Sequence, residues 1–277
     1  MTASKGPSGQ WSSVAECWFT AIGHPLRPGD QDIEFFRAFC QPTIAAIDRP
    51  SALIMGVTPE LYHLLSPLCD TQAIDRNEAM INLVWPGERS DVYHKEWLRL
   101  SEIDQQFDII VIDGGLHLVG FPSEQEQLLT HIAARLKPGG RLIARLFCQP
   151  LDRESVESVL DALARREIPS VNHLKVRLVS AIQQTSESGA RLHDVWATIQ
   201  ECVSVISRLE GSPGWSRDEI EALGFYRGQE ARYSFVSVEQ VLTMLNRLGN
   251  PLRHEGTRVP DYPMGDQFPV ICLSRTA

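Results

Sequence analysis

Apolar residues recur with two different spacings in the first half of the chain. Short, mostly apolar runs that end in glycine or an acid alternate with longer segments of helical spacing. Ala52–Met55 is closed by Gly56, and Phe107–Ile112 is closed by Asp113. Such runs are typical of strands buried on both faces of a parallel sheet. Further strands are predicted at Gln72–Arg76, Val92–His94 and Arg141–Phe147. Their alternation with helices predicts an α/β fold with a doubly wound, mostly parallel sheet.

The helix before the last of these strands has boundary signals of its own. Ser123 and Glu126 have the spacing of a capping box at its start. Leu136–Gly140, which reads L-K-P-G-G, is predicted to end it.

The second half has a different pattern. Four segments between 154 and 223 have apolar residues at helical spacing, which predicts a helical insertion. Strands are then predicted at Tyr233–Val236 and Val270–Ser274, with a helix over Ser237–Leu248 between them. We therefore divide the chain into a tail and lid helices (1–50), a cofactor-binding α/β core (51–150), a helical substrate or partner region (151–230) and closing strands (231–277). Residues 1–10 are predicted to be a disordered tail.

Composition narrows the function classes. The formal net charge of −9 argues against binding to a nucleic-acid backbone. The six cysteines are scattered without C-x-x-C pairs, so neither a metal site nor a disulfide framework is predicted. No apolar run approaches the roughly 20 residues that span a bilayer. The polar N-terminus has no signal-peptide core, and a cytoplasmic protein is expected.

The stretch from Gly56 to Pro59 predicts a tight turn that leads into a helix. Glycine permits the sharp turn, Thr58 can cap the helix, and Pro59 suits its first position. Asp75 follows Gly56 by 19 positions. In nucleoside-binding α/β folds, an acid about 20 residues beyond the glycine turn accepts hydrogen bonds from the ribose hydroxyls.

Five segments in order resemble the class I S-adenosylmethionine-dependent methyltransferases. They read A-L-I-M-G-V-T-P-E, A-I-D-R-N-E-A-M, Y-H-K-E-W, F-D-I-I-V-I-D-G-G and L-K-P-G-G-R-L, and they lie within 51–147. The resemblance implies a seven-stranded Rossmann-like sheet and S-adenosyl-L-methionine as cofactor. Two features depart from the family: Gly56 stands alone where it has three glycines, and K-E replaces its usual G-D after the third strand.

The resemblance also implies roles for individual residues. The implied cofactor-binding residues are Gly56, Val57, Thr58, Glu60, Asp75, Arg76, Met80, Glu96, Trp97, Asp113 and Gly114. Structural alternatives stay open: Gly56 as a simple turn, Asp75 as a helix cap and Trp97 as part of the core.

Two further residues have open roles. His117 lies in the loop where the methyl acceptor is expected, and it is either a general base or a histidine of the pocket wall. Arg145 is costly if buried alone, so it either pairs with an acid or binds an anionic substrate.

These observations predict a methyltransferase that acts on an O, N or S nucleophile of a small metabolite or natural product. No nucleic-acid or membrane partner is expected, and a homodimer is left open. The alternative is a non-catalytic binding or scaffold protein that keeps the fold. A nicotinamide-dependent oxidoreductase is disfavoured because G-x-G-x-x-G is absent.

Overall fold

The computed structural model describes residues 8–276, which form two compact units. The helical unit contains residues 8–27 and 150–234, and the sheet unit contains residues 28–149 and 235–276. Elements are numbered along the whole chain. The functional division predicted from sequence remains a prediction.

The sheet unit is built on one seven-stranded sheet. Its strands are β1 Ser51–Met55, β2 Asp70–Asp75, β3 Val92–His94, β4 Phe107–Asp113, β5 Leu136–Arg145, β8 Leu252–Arg258 and β9 Val270–Arg275. The order across the sheet is β3-β2-β1-β4-β5-β9-β8. The first five strands are parallel, and β9 runs antiparallel between β5 and β8. The predicted doubly wound, mostly parallel sheet is confirmed.

Helices cover this sheet. They are α3 Asp30–Ala46, α4 Pro59–Leu65, α5 Glu78–Leu83, α6 Ser123–Arg135 and α12 Val238–Arg247, with 3-10 turns at Arg89–Asp91, Trp97–Glu102, Leu116–Leu118 and Gly265–Gln267. α12 buries Val241 and Met244 in the core that also holds Leu128 and Ile132 of α6. α3 contacts β5 and β9. Helices with one apolar face must bury it, and the sheet is where these helices do so.

The helical unit contains the remaining elements. They are α1 Ser8–Glu16, α2 Trp18–Ala21, α7 Val156–Ala164, α8 Val171–Ile182, α9 Leu192–Glu201, α10 Val203–Ile206, α11 Arg217–Glu221, a 3-10 turn at Ala222–Tyr226, and the two short strands β6 Ala190–Arg191 and β7 Arg232–Tyr233. The predicted helical insertion is therefore present. Its segment over 192–206 is two helices that meet at Cys202, whose backbone (φ −118°, ψ 15°) is not helical.

One predicted sheet strand is wrong. Tyr233–Val236 does not join the main sheet, because β7 ends at Tyr233 and pairs with β6. The sheet instead takes β8, which the sequence pattern did not reveal. β8 is an edge strand in which Leu252 alone is buried, so it lacks the apolar alternation by which strands are recognised.

Three boundaries also differ from prediction. The residue before α6 is Pro122, so Ser123 is already helical, and the Glu124 side chain accepts the Gly120 N–H at 2.7 Å; the predicted capping box is absent. α6 ends at Arg135, directly before L-K-P-G-G as predicted, but this segment itself belongs to β5, where pairing with β4 shifts register. Residues 8–10 belong to α1, and the rest of the predicted tail lies outside the described residues.

Candidate functional site

The candidate site is the crevice at the carboxyl ends of β1 and β4. These strands are neighbours at the centre of the sheet, and the chain leaves them toward opposite edges. Ligands of open α/β sheets bind at such a switch point. The turn after β1 carries Gly56, and the turn after β4 carries Gly114 and Gly115.

The turn after β1 needs glycine at its first position. Gly56 has φ +92°, and its N–H donates to the Ile74 carbonyl at 2.9 Å. Val57 and Thr58 are buried, and α4 begins at Pro59 as predicted. Thr58 precedes this helix, yet its hydroxyl does not cap it. The hydroxyl therefore makes no hydrogen bond to the helix that the sequence predicted it to cap.

Trp97 lies over both glycine turns. Its Nε1 donates to the Ile74 carbonyl at 3.0 Å, the same oxygen that accepts from Gly56. A Cβ on Gly56 would lie 3.6 Å from the indole, and a Cβ on Gly115 would lie 2.8 Å from it. The second distance is too short for a side chain. The same Cβ would lie 2.5 Å from Cδ1 of Ile112, so packing of Ile112 and of the indole together explains the glycine at 115. Trp97 forms the floor of the crevice.

Asp75 ends β2 beside this floor. Its Oδ1 accepts from the Asn77 N–H at 2.7 Å, and Asn77 in turn caps α5 by accepting from the N–H of the buried Met80 at 3.0 Å. Burial raises the pKa of Asp75 to about 6, against the opposing effects of the Asn77 amide and Arg76. The structure thus places Asp75 both at a helix start and at the position predicted for a ribose ligand.

Arg76 and Glu96 pair at the rim of the crevice. Arg76 Nη1 and Glu96 Oε2 are 3.1 Å apart, with the Glu96 side chain half exposed. His94 Nε2 lies 2.9 Å from the Arg76 carbonyl. The two side chains neutralise each other's charge, whereas the sequence analysis treated them as separate cofactor-binding residues. A ligand at this rim meets a bridged ion pair rather than an isolated carboxylate.

Asp113 belongs to a buried cluster of charges. Arg145 Nε donates to Asp113 Oδ1 at 2.5 Å, and Arg145 Nη1 lies 3.5 Å from Asp32 Oδ2. The Tyr262 hydroxyl donates to Asp32 Oδ1 at 3.0 Å. Arg145 and Asp32 are both 0% exposed. Of the two alternatives for Arg145, the structure shows pairing with acids.

The charges of the cluster act on one another. Burial raises the pKa of Asp113; Arg145 opposes this, and the charges of Asp32 and Glu60 add to it. Burial also lowers the pKa of Arg145, but Asp113 and Asp32 more than reverse that effect. The guanidinium therefore stays charged between two carboxyl groups of the fold.

His117 and Gly114 lie among aromatic rings. Gly114 has φ +60°, and a Cβ there would lie 2.2 Å from Phe147. The His117 ring is 4.5 Å from the Phe147 ring and 5.5 Å from the Phe235 ring. Burial, with a contribution from Arg145, lowers the pKa of His117 to about 3. A neutral histidine of such weak basicity fits the pocket-wall alternative better than the base.

Sequence reasoning missed two members of the cluster. Asp32 lies in the first turn of α3, where its Oδ2 accepts the Gly29 N–H at 2.8 Å. Tyr262 had no signal in its own segment and lies 230 positions from Asp32. The usable signal was Arg145 itself, because an arginine inside an apolar strand requires acids from elsewhere.

Comparisons with known proteins bear on the fold. No family model and no curated protein matches this sequence. Among solved structures, the CcbJ methyltransferase of Streptomyces caelestis matches with a TM-score of 0.57 and 13% identity, over 98% of this chain and 99% of that one. The N-methyltransferase NodS of Bradyrhizobium japonicum, in complex with S-adenosyl-L-homocysteine, matches with a TM-score of 0.51 and 14% identity, over 96% and 98%. The chain has the class I methyltransferase fold.

Another neighbour carries a different description. A Rhodobacter sphaeroides protein, provisionally described as a Zn-dependent alcohol dehydrogenase, matches with a TM-score of 0.64 and 13% identity, over 100% of both chains. At that identity the match shows the fold alone. Dinucleotide-binding sheets have the parallel order 3-2-1-4-5-6. Here an antiparallel last strand lies between β5 and β8, which is the arrangement of the methyltransferase fold.

Residues 8–276 contain neither a membrane-spanning helix nor a cluster of metal ligands. None of their helices is long and apolar enough to cross a membrane. Their His, Cys, Asp and Glu side chains include no group of three or more placed to hold a metal ion.

Proposed function

We propose that this protein is an S-adenosylmethionine-dependent methyltransferase that acts on an O, N or S nucleophile of a small molecule. The observation that carries the proposal is the placement of Asp75 beside the Gly56 turn, at the switch point of a sheet with the methyltransferase strand order. The matched CcbJ and NodS structures are of methyltransferases, which supports the same activity. A small-molecule acceptor is favoured because the net charge of −9 repels nucleic acids.

The residues of the crevice fit the proposed cofactor. The carboxylate of Asp75 has one oxygen bonded to Asn77, and carboxylates accept several hydrogen bonds, so it can also take ribose hydroxyls. The Thr58 hydroxyl does not serve the helix and can bond the amino-acid part. Trp97 offers an aromatic face beside Gly56.

The proposed methyl transfer needs few catalytic side chains. S-adenosylmethionine, when bound, supplies a methyl group that is already activated for displacement. This chain has to align the acceptor with that methyl group and exclude water. His117 stays neutral at physiological pH and is a weak base, so the proposal routes no proton through it.

A specific observation favours the alternative function. Trp97 lies close to Gly56, and Phe147 packs against Gly114, so aromatic rings cover the turns that a cofactor would approach. If these rings hold their places in solution, the protein keeps the fold without binding the cofactor. It would then be a non-catalytic binding or scaffold protein.

Isothermal titration with S-adenosylmethionine, S-adenosylhomocysteine and NAD separates the two functions. We expect the two adenosyl compounds to bind and Asp75→Ala to weaken them by roughly 10- to 100-fold, because hydrogen bonds to a charged group are lost. Asp70→Ala is the matched control, since Asp70 begins the same strand and its side chain is 67% exposed. No binding of either adenosyl compound to the wild type would support the scaffold function. Equal losses in both variants would refute the role of Asp75.

A further inference from the structure

The loop of residues 113–119 begins at the last residue of β4 and carries three residues of the candidate site, Asp113, Gly114 and His117. A loop outside the ladder of a sheet is free to move unless side chains bind its backbone groups or its own side chains. Two buried polar side chains, Gln125 of α6 and Arg145 of β5, bind this loop at its two ends.

Gln125 binds the far end of the loop. It is 0% exposed and lies one turn before Leu128 and Leu129, on the face of α6 that packs into the core. Its Nε2 donates to the Leu116 carbonyl at 3.1 Å and to the Val119 carbonyl at 3.3 Å. An apolar residue at this position would avoid the cost of burying an amide. The donors of Gln125 therefore serve the loop rather than the helix that carries them.

Arg145 binds the near end of the loop. Its Nε donates to Asp113 Oδ1 at 2.5 Å, and its backbone carbonyl accepts the Gly114 N–H at 3.0 Å. Its guanidinium also lies 5.3 Å from the centre of the Phe147 ring, which packs against Gly114. The Asp113 side chain is 5% exposed, so little of its carboxyl group is open to a ligand.

Asp32 and Tyr262 hold Arg145 in turn. Arg145 Nη1 lies 3.5 Å from Asp32 Oδ2, and the Tyr262 hydroxyl donates to Asp32 Oδ1 at 3.0 Å. A planar guanidinium with several donors can join acids from α3 and β4 at once. Tyr262 is thereby linked to the loop through Asp32 and Arg145.

We propose that Gln125 and Arg145 are positioning residues that hold loop 113–119 in the conformation that receives the adenosyl cofactor, with Asp32 and Tyr262 acting through Arg145. Asp113 then contributes to the crevice by fixing the turn at Gly114 and not by binding the cofactor. A wall that is ordered before binding loses no further conformational entropy when the ligand arrives, so these residues raise the affinity without touching the ligand. The inference rests on the proposed function, because that function gives the loop its ligand.

Hydrogen–deuterium exchange of the ligand-free protein, measured by mass spectrometry, tests the positioning. Gln125→Met keeps the length of the side chain and removes its donors, and Tyr262→Phe removes only a hydroxyl. The matched control is Asp108→Asn. Asp108 is a buried acid that accepts from Lys137 at 2.7 Å, but it lies at the opposite end of β4 from the loop. Isothermal titration of the same four proteins with S-adenosylhomocysteine measures the affinity.

We expect exchange in loop 113–119 to be roughly 10-fold faster in Gln125→Met, because two hydrogen bonds to the loop are lost, and roughly 5-fold faster in Tyr262→Phe. Exchange in β2 reports on global stability and should stay within about 2-fold of the wild type in both variants. Asp108→Asn should leave exchange in the loop unchanged. S-adenosylhomocysteine should bind Gln125→Met and Tyr262→Phe about 3- to 10-fold more weakly than it binds the wild type and the control.

Two results would overturn the proposal by exchange alone. They are unchanged exchange in the loop of both variants, and equal acceleration in Asp108→Asn, which would mean that the side chains contribute only to general stability. Faster exchange in the loop with undiminished affinity would also overturn it, since the order of the loop would then not serve binding. A wild type that binds no adenosyl compound would refute the proposed function, whereas the exchange data would still decide whether Gln125 and Arg145 order the loop.

Discussion

Among residues 8–276, each unit of the protein buries one long cationic side chain, and only one of the two is paired with acids. Arg145 in the sheet unit is 0% exposed and has Asp113 and Asp32 within 3.5 Å. Lys175 in the helical unit is 2% exposed, and no acid in the described chain lies within ion-pairing distance of it. Desolvation penalises both cations, but only Arg145 recovers the cost within the protein.

Acids of the fold neutralise the charge of Arg145, whereas the charge of Lys175 has no acid of the described residues within ion-pairing distance. The guanidinium of Arg145 presents several donors in a plane, which lets it join acids from α3 and β4 at once. The amine of Lys175 has an aromatic ring near it instead. A buried charge that the fold satisfies is evidence about stability.

The largest effect is expected from Arg145→Met. The substitution leaves two carboxyl groups buried without a counter-charge, and breaking such a pair costs about 3–5 kcal/mol in the free energy of unfolding. Urea unfolding measures it. Arg99→Met is the control, because Arg99 pairs with Glu102 at an exposed site and its loss should change stability little. A loss for Arg145→Met no larger than that of the control would break the comparison.

Asp75 is an intermediate case, a partly buried carboxylate with a backbone amide as hydrogen-bond donor. Burial raises its pKa in the folded protein to about 6, from an ordinary value of 3.8. The folded state therefore binds the proton more tightly, so the contribution of Asp75 to stability is full at low pH and is lost as the pH rises through about 6. Asp75→Asn should accordingly stabilise the ligand-free protein by about 1–3 kcal/mol at pH 8 and by much less at pH 4.

Thermal unfolding from pH 4 to pH 8 measures this effect. A pH-independent difference between Asp75→Asn and the wild type would show that the carboxylate is ordinarily solvated. The same carboxylate is the one proposed to bind ribose, so affinity for S-adenosylhomocysteine should fall as the pH drops below about 6.

The smallest effect is expected from Tyr262→Phe. This change removes the hydroxyl that donates to Asp32 and leaves the ion pairs in place. A hydrogen bond to a charged group contributes about 1.5–3 kcal/mol at most, and Asp32 retains Arg145 and Gly29, so we expect a loss of about 1 kcal/mol in urea unfolding. A loss as large as that of Arg145→Met would mean that the tyrosine, rather than the arginine, organises the cluster.

Local signals in the sequence determined the parallel half of the sheet. Ala52–Met55 and Phe107–Ile112 are mostly apolar runs of the kind typical of strands covered on both faces, and both are strands at the predicted positions. The helix after Ser237 was likewise predictable, since a cap and an apolar face act within a few residues. The roles of Gly56, Asp75 and the other crevice residues remain predictions.

Tertiary structure alone decided how distant residues combine. β8 is an exposed edge whose side chains carry no alternation, so pairing with β9 and not its own pattern makes it a strand. Trp97 covers Gly115 through contacts between separate turns. Asp32, Arg145 and Tyr262 come from three distant parts of the chain and meet in one cluster. Within the described residues, the fold places no acid within ion-pairing distance of Lys175. Sequence specifies what each short segment prefers, whereas the balance of buried charges exists only once the segments are packed together.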